Sequence, residues 1–213
     1  MEQELLKVFD EQHNVIGAET RKEIHRLGLW HETFQCWFIS KHKGKHYIYL
    51  QLRSDLKKDY PGLLDITAAG HLLESETVYD GVREIKEELG IDVLFEQLYS
   101  LGVMKYSVTT GDLIDKELAH VFLYDFVLDW EEFTLQVEEV SGLVRVELTQ
   151  FVSLWNSEIK EIEITGFELE EDGARRPIHQ MVNKEKFVPH EQSYYEAICR
   201  EMIRFTSKHQ LSS

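Results

Sequence analysis

The 213-residue sequence predicts an α/β fold built on a mixed, partly antiparallel β-sheet. Three stretches carry that expectation. Val78, Val82, Ile85 and Leu89 recur at gaps of four, three and four, the apolar stripe of an amphipathic helix. The runs T-F-Q-C-W-F-I-S (Thr33 to Ser40) and H-Y-I-Y-L-Q-L-R (His46 to Arg53) are aromatic and β-branched, and the loop K-H-K-G-K joins them as an antiparallel pair. Glu117 to Leu128 is nearly continuous in apolar residues, the pattern of a central strand buried on both faces.

In chain order, Leu5 to Asp10 and Val15 to Thr20 flank the polar stretch Glu11 to Asn14 and read as a short hairpin. Arg21 to Leu29 is a short helical piece that contains His25, with His31 just beyond it. On the second long strand Ile48, Leu50 and Leu52 share one face, while Tyr47, Tyr49, Gln51 and Arg53 share the other, so Arg53 is placed to face a site. Lys57 and Lys58 follow in a loop ending Y-P-G and form the local cluster of positive charge upstream of the helix. Leu64 to Ala69 is expected as one strand delivering the chain to Gly70, whose missing side chain suits a tight loop close to a ligand.

The helix is marked at both ends, by Thr77 and Asp80 at capping-box spacing and by Gly90 after the last apolar residue. Asp92 to Val108 holds strand-like runs around Gly102, and the strand from Glu117 is expected to expose Asp115 and Glu117 at its start. Leu143 to Leu148 reads as a strand and Thr149 to Trp155 as a short helix. The acidic stretch from Glu158 to Asp172 forms a hairpin or a lid. Tyr195, Ile198, Met202 and Phe205 recur at three, four and three, a C-terminal amphipathic helix with Pro189 before it and Ser193 as its cap. That stripe serves the core or a subunit contact, as in a homodimer. With no repeat or linker, residues 1–213 partition most simply as one domain, with an N-terminal hairpin and a C-terminal helical extension over about 157–213.

With 39 acidic and 23 basic residues the formal charge is -16, which repels phosphate backbones and argues against a nucleic-acid partner. Cys36 and Cys199 lack any disulfide or zinc spacing. No signal-like N-terminus or membrane-length apolar run is present, so the expected location is cytoplasmic and no membrane partner is expected.

Glu84, Glu87 and Glu88 stand at i, i+3 and i+4 and project side by side from one turn. Such pairs repel by roughly 0.2–0.5 kcal/mol each, offset in part by Arg83 and Lys86. Two readings follow: a carboxylate site for a hard divalent cation such as Mg2+, or a solvated acidic face in an acidic protein.

R-E-I-K-E-E-L-G-I, from Arg83 to Ile91, matches every specified position in the second half of the Nudix box. Gly70 and Glu76 fit the first half, although six residues rather than seven separate Glu76 from Arg83. The chain therefore resembles the Nudix hydrolases. The resemblance implies a Nudix-type α/β/α sandwich and attack of water on a phosphorus of a small-molecule diphosphate. It also implies Mg2+ or Mn2+ on Glu84, Glu87 and Glu88, and pairing of Arg83 with a neighbouring Glu to brace the loop. Arg53 and Lys57 are assigned to substrate oxygens, Gly70 to the substrate's approach, and the general base to Glu84, Glu138 or Glu139.

Within that superfamily the chain is similar to the branch of type 1 isopentenyl diphosphate isomerase. The matching pieces are the His25 and His31 region, the strand around Trp37, R-x-x-x-K-K-x-x-P-G from Arg53 to Gly62, Gly70-His71, and D-K-E from Asp115 to Glu117. This implies a second metal site on His25, His31, His71, Asp115 and Glu117. The isomerases place a catalytic cysteine immediately before the Gly-His pair, where this chain has Ala69. The expected activity is therefore metal-dependent hydrolysis of a diphosphate linkage in a nucleoside diphosphate derivative or a related small organic diphosphate. The competing expectations are an isomerase-like enzyme and a non-catalytic Nudix ligand sensor.

Overall fold

A computed structural model describes residues 3–111, 113–126 and 129–209 and contains an 11-stranded mixed sheet. Strands β1 (Leu5–Phe9) and β2 (Val15–Thr20) form the expected hairpin, and Thr20 caps α1 (Arg21–Leu27) by accepting the Glu23 N–H. The long strands β3 (Trp30–His42) and β4 (Lys45–Arg53) pair antiparallel only from Phe38↔Tyr49 to the turn, and then part.

That fork splits the single strand expected over Leu64 to Ala69. Strand β5 (Leu64–Asp65) pairs with β4, and β6 (Ala68–His71) pairs with β3. Thr67 sits in the crotch, where its hydroxyl accepts the Phe38 N–H at 2.9 Å and donates to the Tyr49 carbonyl at 2.5 Å. Backbone groups that the fork leaves without a strand partner are satisfied by one side chain. Gly70 accordingly lies in a strand rather than in a loop.

A 3-10 turn over Val78–Gly81 leads into α2 (Val82–Leu89), where the Asp80 carboxylate accepts the Thr77 N–H at 2.8 Å and Gly90 ends the helix at φ 73. The run expected from Asp92 becomes a strand only at β7 (Tyr99–Thr110). Strand β8 (Leu113–Asp125) starts before Glu117 and runs parallel to β3 and antiparallel to β7. The last two residues expected in it, Val127 and Leu128, lie outside the described residues.

Next come β9 (Val140–Glu147) and α3 (Leu148–Trp155). The acidic stretch then forms a hairpin rather than a lid, β10 (Ile162–Leu169) with β11 (Arg175–Val182), which continues the sheet through β9. Region 157–213 thus contributes two strands before α4 (Gln192–His209). Ser193 lies inside the first turn of α4 and donates to the Glu191 carboxylate. Glu191 is the residue whose carbonyl accepts the Tyr194 N–H, so it takes the capping position expected of Ser193.

Both sheet faces are covered, which makes the α/β/α layers. Ile48, Leu50 and Leu52 pack on one face with Phe151, Trp155, Ile198 and Met202 of α3 and α4, while Tyr49, Phe34 and Phe38 pack on the other with Ile85 and Leu89 of α2. The C-terminal stripe is therefore core, anchored by Tyr195 stacked on Trp155 at 3.5 Å. No described helix is long and apolar enough to cross a membrane.

Candidate active site

Strand β3 sets the geometry of the site because it is paired on both sides. On one side Thr33 pairs with His71 of β6, and on the other His31 pairs with Glu117 of β8. Helix α1 lies over β8 and adds His25. Five residues scattered from 25 to 117 are thereby drawn to one place.

Among the described residues, the groups of three with ligand atoms within 4.8 Å of one another are His25, His31 and His71, and His31, Asp115 and Glu117. The nearest imidazole nitrogens to Asp115 Oδ1 are His25 Nε2 and His31 Nε2, both at 3.5 Å. Nε2 of all three histidines and Asp115 Oδ1 are buried without a hydrogen-bond partner. Orphaned buried polar atoms are costly, and here they converge. His31 Nδ1 lies 3.2 Å from the Leu29 carbonyl, which can only accept, so Nε2 is left with a lone pair directed at the cluster. Burial holds His31 down at about 4 and His71 well below its ordinary value, which keeps both rings neutral as metal ligands must be.

The expectation that Asp115 and Glu117 are exposed is overturned. Glu117 is buried, and its Oε2 accepts from Thr33 (2.6 Å), Tyr106 (2.8 Å) and Gln35 (3.1 Å). Burial, then the charge of Asp115, pushes it up to about 8. Tyr106 and Gln35 carry no sequence signal beyond strand alternation.

The three helix carboxylates line one cavity and differ in burial. Glu87 is half-exposed and turns to Arg83 at 3.2 Å, whereas Glu88 is buried and accepts the Ala69 N–H at 3.0 Å. Glu84 is drawn under β6, and a Cβ at Gly70 would lie 2.1–2.4 Å from its carboxyl atoms. Gly70 thus makes room for Glu84, a reason different from the close ligand approach expected of it. Burial pushes Glu84 up to about 7, and burial reinforced by Glu84 lifts Glu88 well above the carboxylate range. Two buried carboxylates, Glu84 raised by burial and by Glu87 and Glu88 raised by burial and by Glu84, suit a divalent cation, because buried charge persists where it is paired or coordinates metal.

Arg83 donates to Glu76 through two nitrogens, to Glu84 at 2.6 Å and to the His71 carbonyl at 3.0 Å. Glu76 reaches it despite the shortened spacing, because the 3-10 turn before α2 winds more tightly than α-helix. Arg53 and Lys57 are already engaged, Arg53 by Asp65 at 2.9 Å and the Asp59 carbonyl at 2.7 Å, and Lys57 by Glu139. Glu139 comes from the loop before β9, which the Ser54 N–H holds at the Glu139 carbonyl.

A cavity of about 540 Å³ joins these parts, with Glu84, Glu88, Glu138, Glu139, Arg53, Lys57, His25, His71 and Asp115 on its walls. Asp65 and His190 also line it, and sequence patterning gave no sign of them.

The split sheet, the acidic helix beneath a Gly-His strand and the cavity between them define an α/β/α protein with two carboxylate-bearing centres on one pocket. The NUDIX domain matches residues 29–165, and the chain belongs to the Nudix family. An uncharacterized Nudix hydrolase from Clostridium acetobutylicum is 37% identical over 203 residues, 95% of this chain and 98% of that protein. Isopentenyl-diphosphate Delta-isomerase from Serratia proteamaculans is 30% identical over 121 residues, 56% of this chain and 65% of that protein, which makes it a distant relative. The crystal structure of DR0079 from Deinococcus radiodurans matches with a TM-score of 0.51 at 18% identity, covering 72% of this chain and 90% of that one, a likeness of fold.

Proposed function

We propose that this chain is a metal-dependent hydrolase that cleaves the diphosphate linkage of a nucleoside diphosphate derivative or a related small organic diphosphate. The observation that carries the reading is the pair of buried, raised carboxylates Glu84 and Glu88 on the wall of a cavity that also holds Lys57 and Glu139. Glu84 and Glu88 are the residues that hold Mg2+ or Mn2+, with Glu87 at the solvent side. A divalent cation so held lowers the pKa of water and neutralises charge on phosphate oxygens.

The residues of the chain divide the remaining work. Glu139, fixed by Lys57, takes the proton of the attacking water. The water oxygen bonds to phosphorus as the bridging P–O bond breaks, and the electron pair leaves with the departing phosphate. Lys57 and Arg53 offer positive charge to the non-bridging oxygens as that charge develops. Arg83 keeps the Glu84 carboxylate and the His71 strand in register. His25, His31, His71, Asp115 and Glu117 are assigned to a second metal, whose imidazole-rich donor set favours Mn2+ or Zn2+ over Mg2+.

Glu88→Gln tests the reading. It leaves an uncharged isostere that still accepts from Ala69, and metal-dependent release of phosphate or nucleotide from a metabolite panel should fall by about 10³-fold. Undiminished turnover refutes it. The histidine cluster favours one second reading, an isopentenyl diphosphate isomerase-like enzyme, which Ala69 opposes because a methyl group moves no proton. Dimethylallyl diphosphate formed from isopentenyl diphosphate by the unaltered protein would establish that reading instead.

A further inference from the structure

One wall of the cavity comes from outside the family-matched stretch 29–165. Val188, Pro189 and His190, between β11 and α4, line it together with Asp65 and Tyr106. The segment is tied down at several points. The Val188 N–H donates to the Leu64 carbonyl at 2.9 Å, Lys186 Nζ donates to the Gly62 carbonyl at 2.7 Å, and the Tyr195 hydroxyl donates to the Val188 carbonyl at 2.7 Å. A wall so anchored presents its side chains in fixed positions.

His190 is the polar side chain on that wall. Its Nε2 lies 3.1 Å from Asp65 Oδ1, and its ring is packed against Tyr106 at 5.4 Å and Tyr194 at 5.0 Å between centroids. Asp65 is saturated, since Oδ1 also accepts the Ile66 N–H at 2.8 Å and Oδ2 accepts from Arg53 at 2.9 Å. These donors, with His190 first among them, outweigh burial and hold the carboxyl down at about 2, so Asp65 is an acceptor and nothing else. Nε2 must therefore carry the hydrogen, which leaves Nδ1 as the ring nitrogen not spent on Asp65.

We propose that His190, aimed by Asp65, contacts the organic half of the substrate through Nδ1 and selects diphosphates whose organic half carries a hydrogen-bond donor. This rests on the diphosphate reading above and adds to it the residue that sorts substrates. A hydroxyl-bearing half satisfies Nδ1. A hydrocarbon half buries it without a partner, and sites built to hydrogen-bond discriminate strongly against such analogues.

The test compares ADP-ribose, rich in hydroxyls, with geranyl diphosphate, whose organic half has none. For unaltered protein, His190→Phe and His190→Asn, kcat/KM is measured on both probes, and dissociation constants are measured calorimetrically. The ratio of ADP-ribose to geranyl diphosphate efficiency should fall about 10–50-fold in His190→Phe, chiefly through KM, and recover to within about fivefold in His190→Asn, which restores a polar group. His190→Ala gives the same comparison should the larger ring not fold. A ratio that moves less than threefold in the Phe or Ala variant overturns the contact. Unaltered protein that binds ADP-ribose but cleaves neither probe retires the hydrolase reading alone, and the same ratio is then read from the dissociation constants. Binding of neither probe by the unaltered protein overturns the contact as well.

Discussion

Glu84 shows how much a single position depends on its neighbours. Its carboxyl occupies the volume that a Cβ at Gly70 would take, so Gly70→Ala must move it. Displacing a catalytic group by about 1 Å costs on the order of 10²-fold in rate, and that loss in kcat is expected with a melting temperature near that of the unaltered protein. The same carboxyl predicts a pH signature. In metal-free protein it stays protonated up to about 7, whereas in the unfolded chain it ionises near 4.5. Between those values unfolding releases a proton, so Glu84 makes stability fall as pH rises, by about 3 kcal/mol in all. His31, held down at about 4, acts in the opposite sense, because there the unfolded chain binds the extra proton. The Glu84 contribution is therefore read as a difference. Urea unfolding in EDTA at pH 5 and pH 7.5 should show a more favourable change with pH for Glu84→Gln than for the unaltered chain, and equal changes would contradict the assignment.

At the scale of elements, the ends of α2 were legible because cap chemistry is local: the Asp80 carboxylate takes the Thr77 N–H, and Gly90 adopts the left-handed turn. Asp80→Ala removes the acceptor for the Thr77 N–H and should lower the denaturation midpoint, whereas Asp80→Asn should keep most of it. The hairpin β1–β2, the β3–β4 pair and the α4 stripe were legible for the same reason, since their periods lie within the segments themselves. What escaped was set by partners far along the chain. The Leu64 to Ala69 run is divided because β3 and β4 part at Phe38 and Tyr49, and nothing inside the run records that. Glu117 reads as exposed at a strand start because the donors that make its burial tolerable, Thr33, Gln35 and Tyr106, come from two other strands. The histidine cluster came from resemblance alone, whereas its geometry follows from strand register. His31→Ala removes one member of both ligand groups, so metal analysis of protein prepared with Mn2+ or Zn2+ should lose about one ion per chain relative to the unaltered protein. Unchanged stoichiometry would exclude that centre.

Across the whole molecule, the box centre on α2 and the histidine centre on α1, β3, β6 and β8 share one cavity, and α4 reaches the second centre through the hydrogen bonds of Tyr194 to Gln35 and of Gln35 to Glu117. The charge of -16 makes local cation placement necessary for any anionic ligand, and Lys57, Arg53 and Arg83 are each held by carboxylates around the cavity. A bound divalent ion that took over Glu84 would release part of that constraint by freeing Arg83. Anomalous diffraction from crystals grown in Mn2+ tests this directly. The account predicts a peak within about 2.0–2.3 Å of carboxylate oxygens of both Glu84 and Glu88, in addition to any at the histidine cluster. Density confined to the histidine cluster, with Glu84 and Glu88 free of metal at saturating Mn2+, would contradict it.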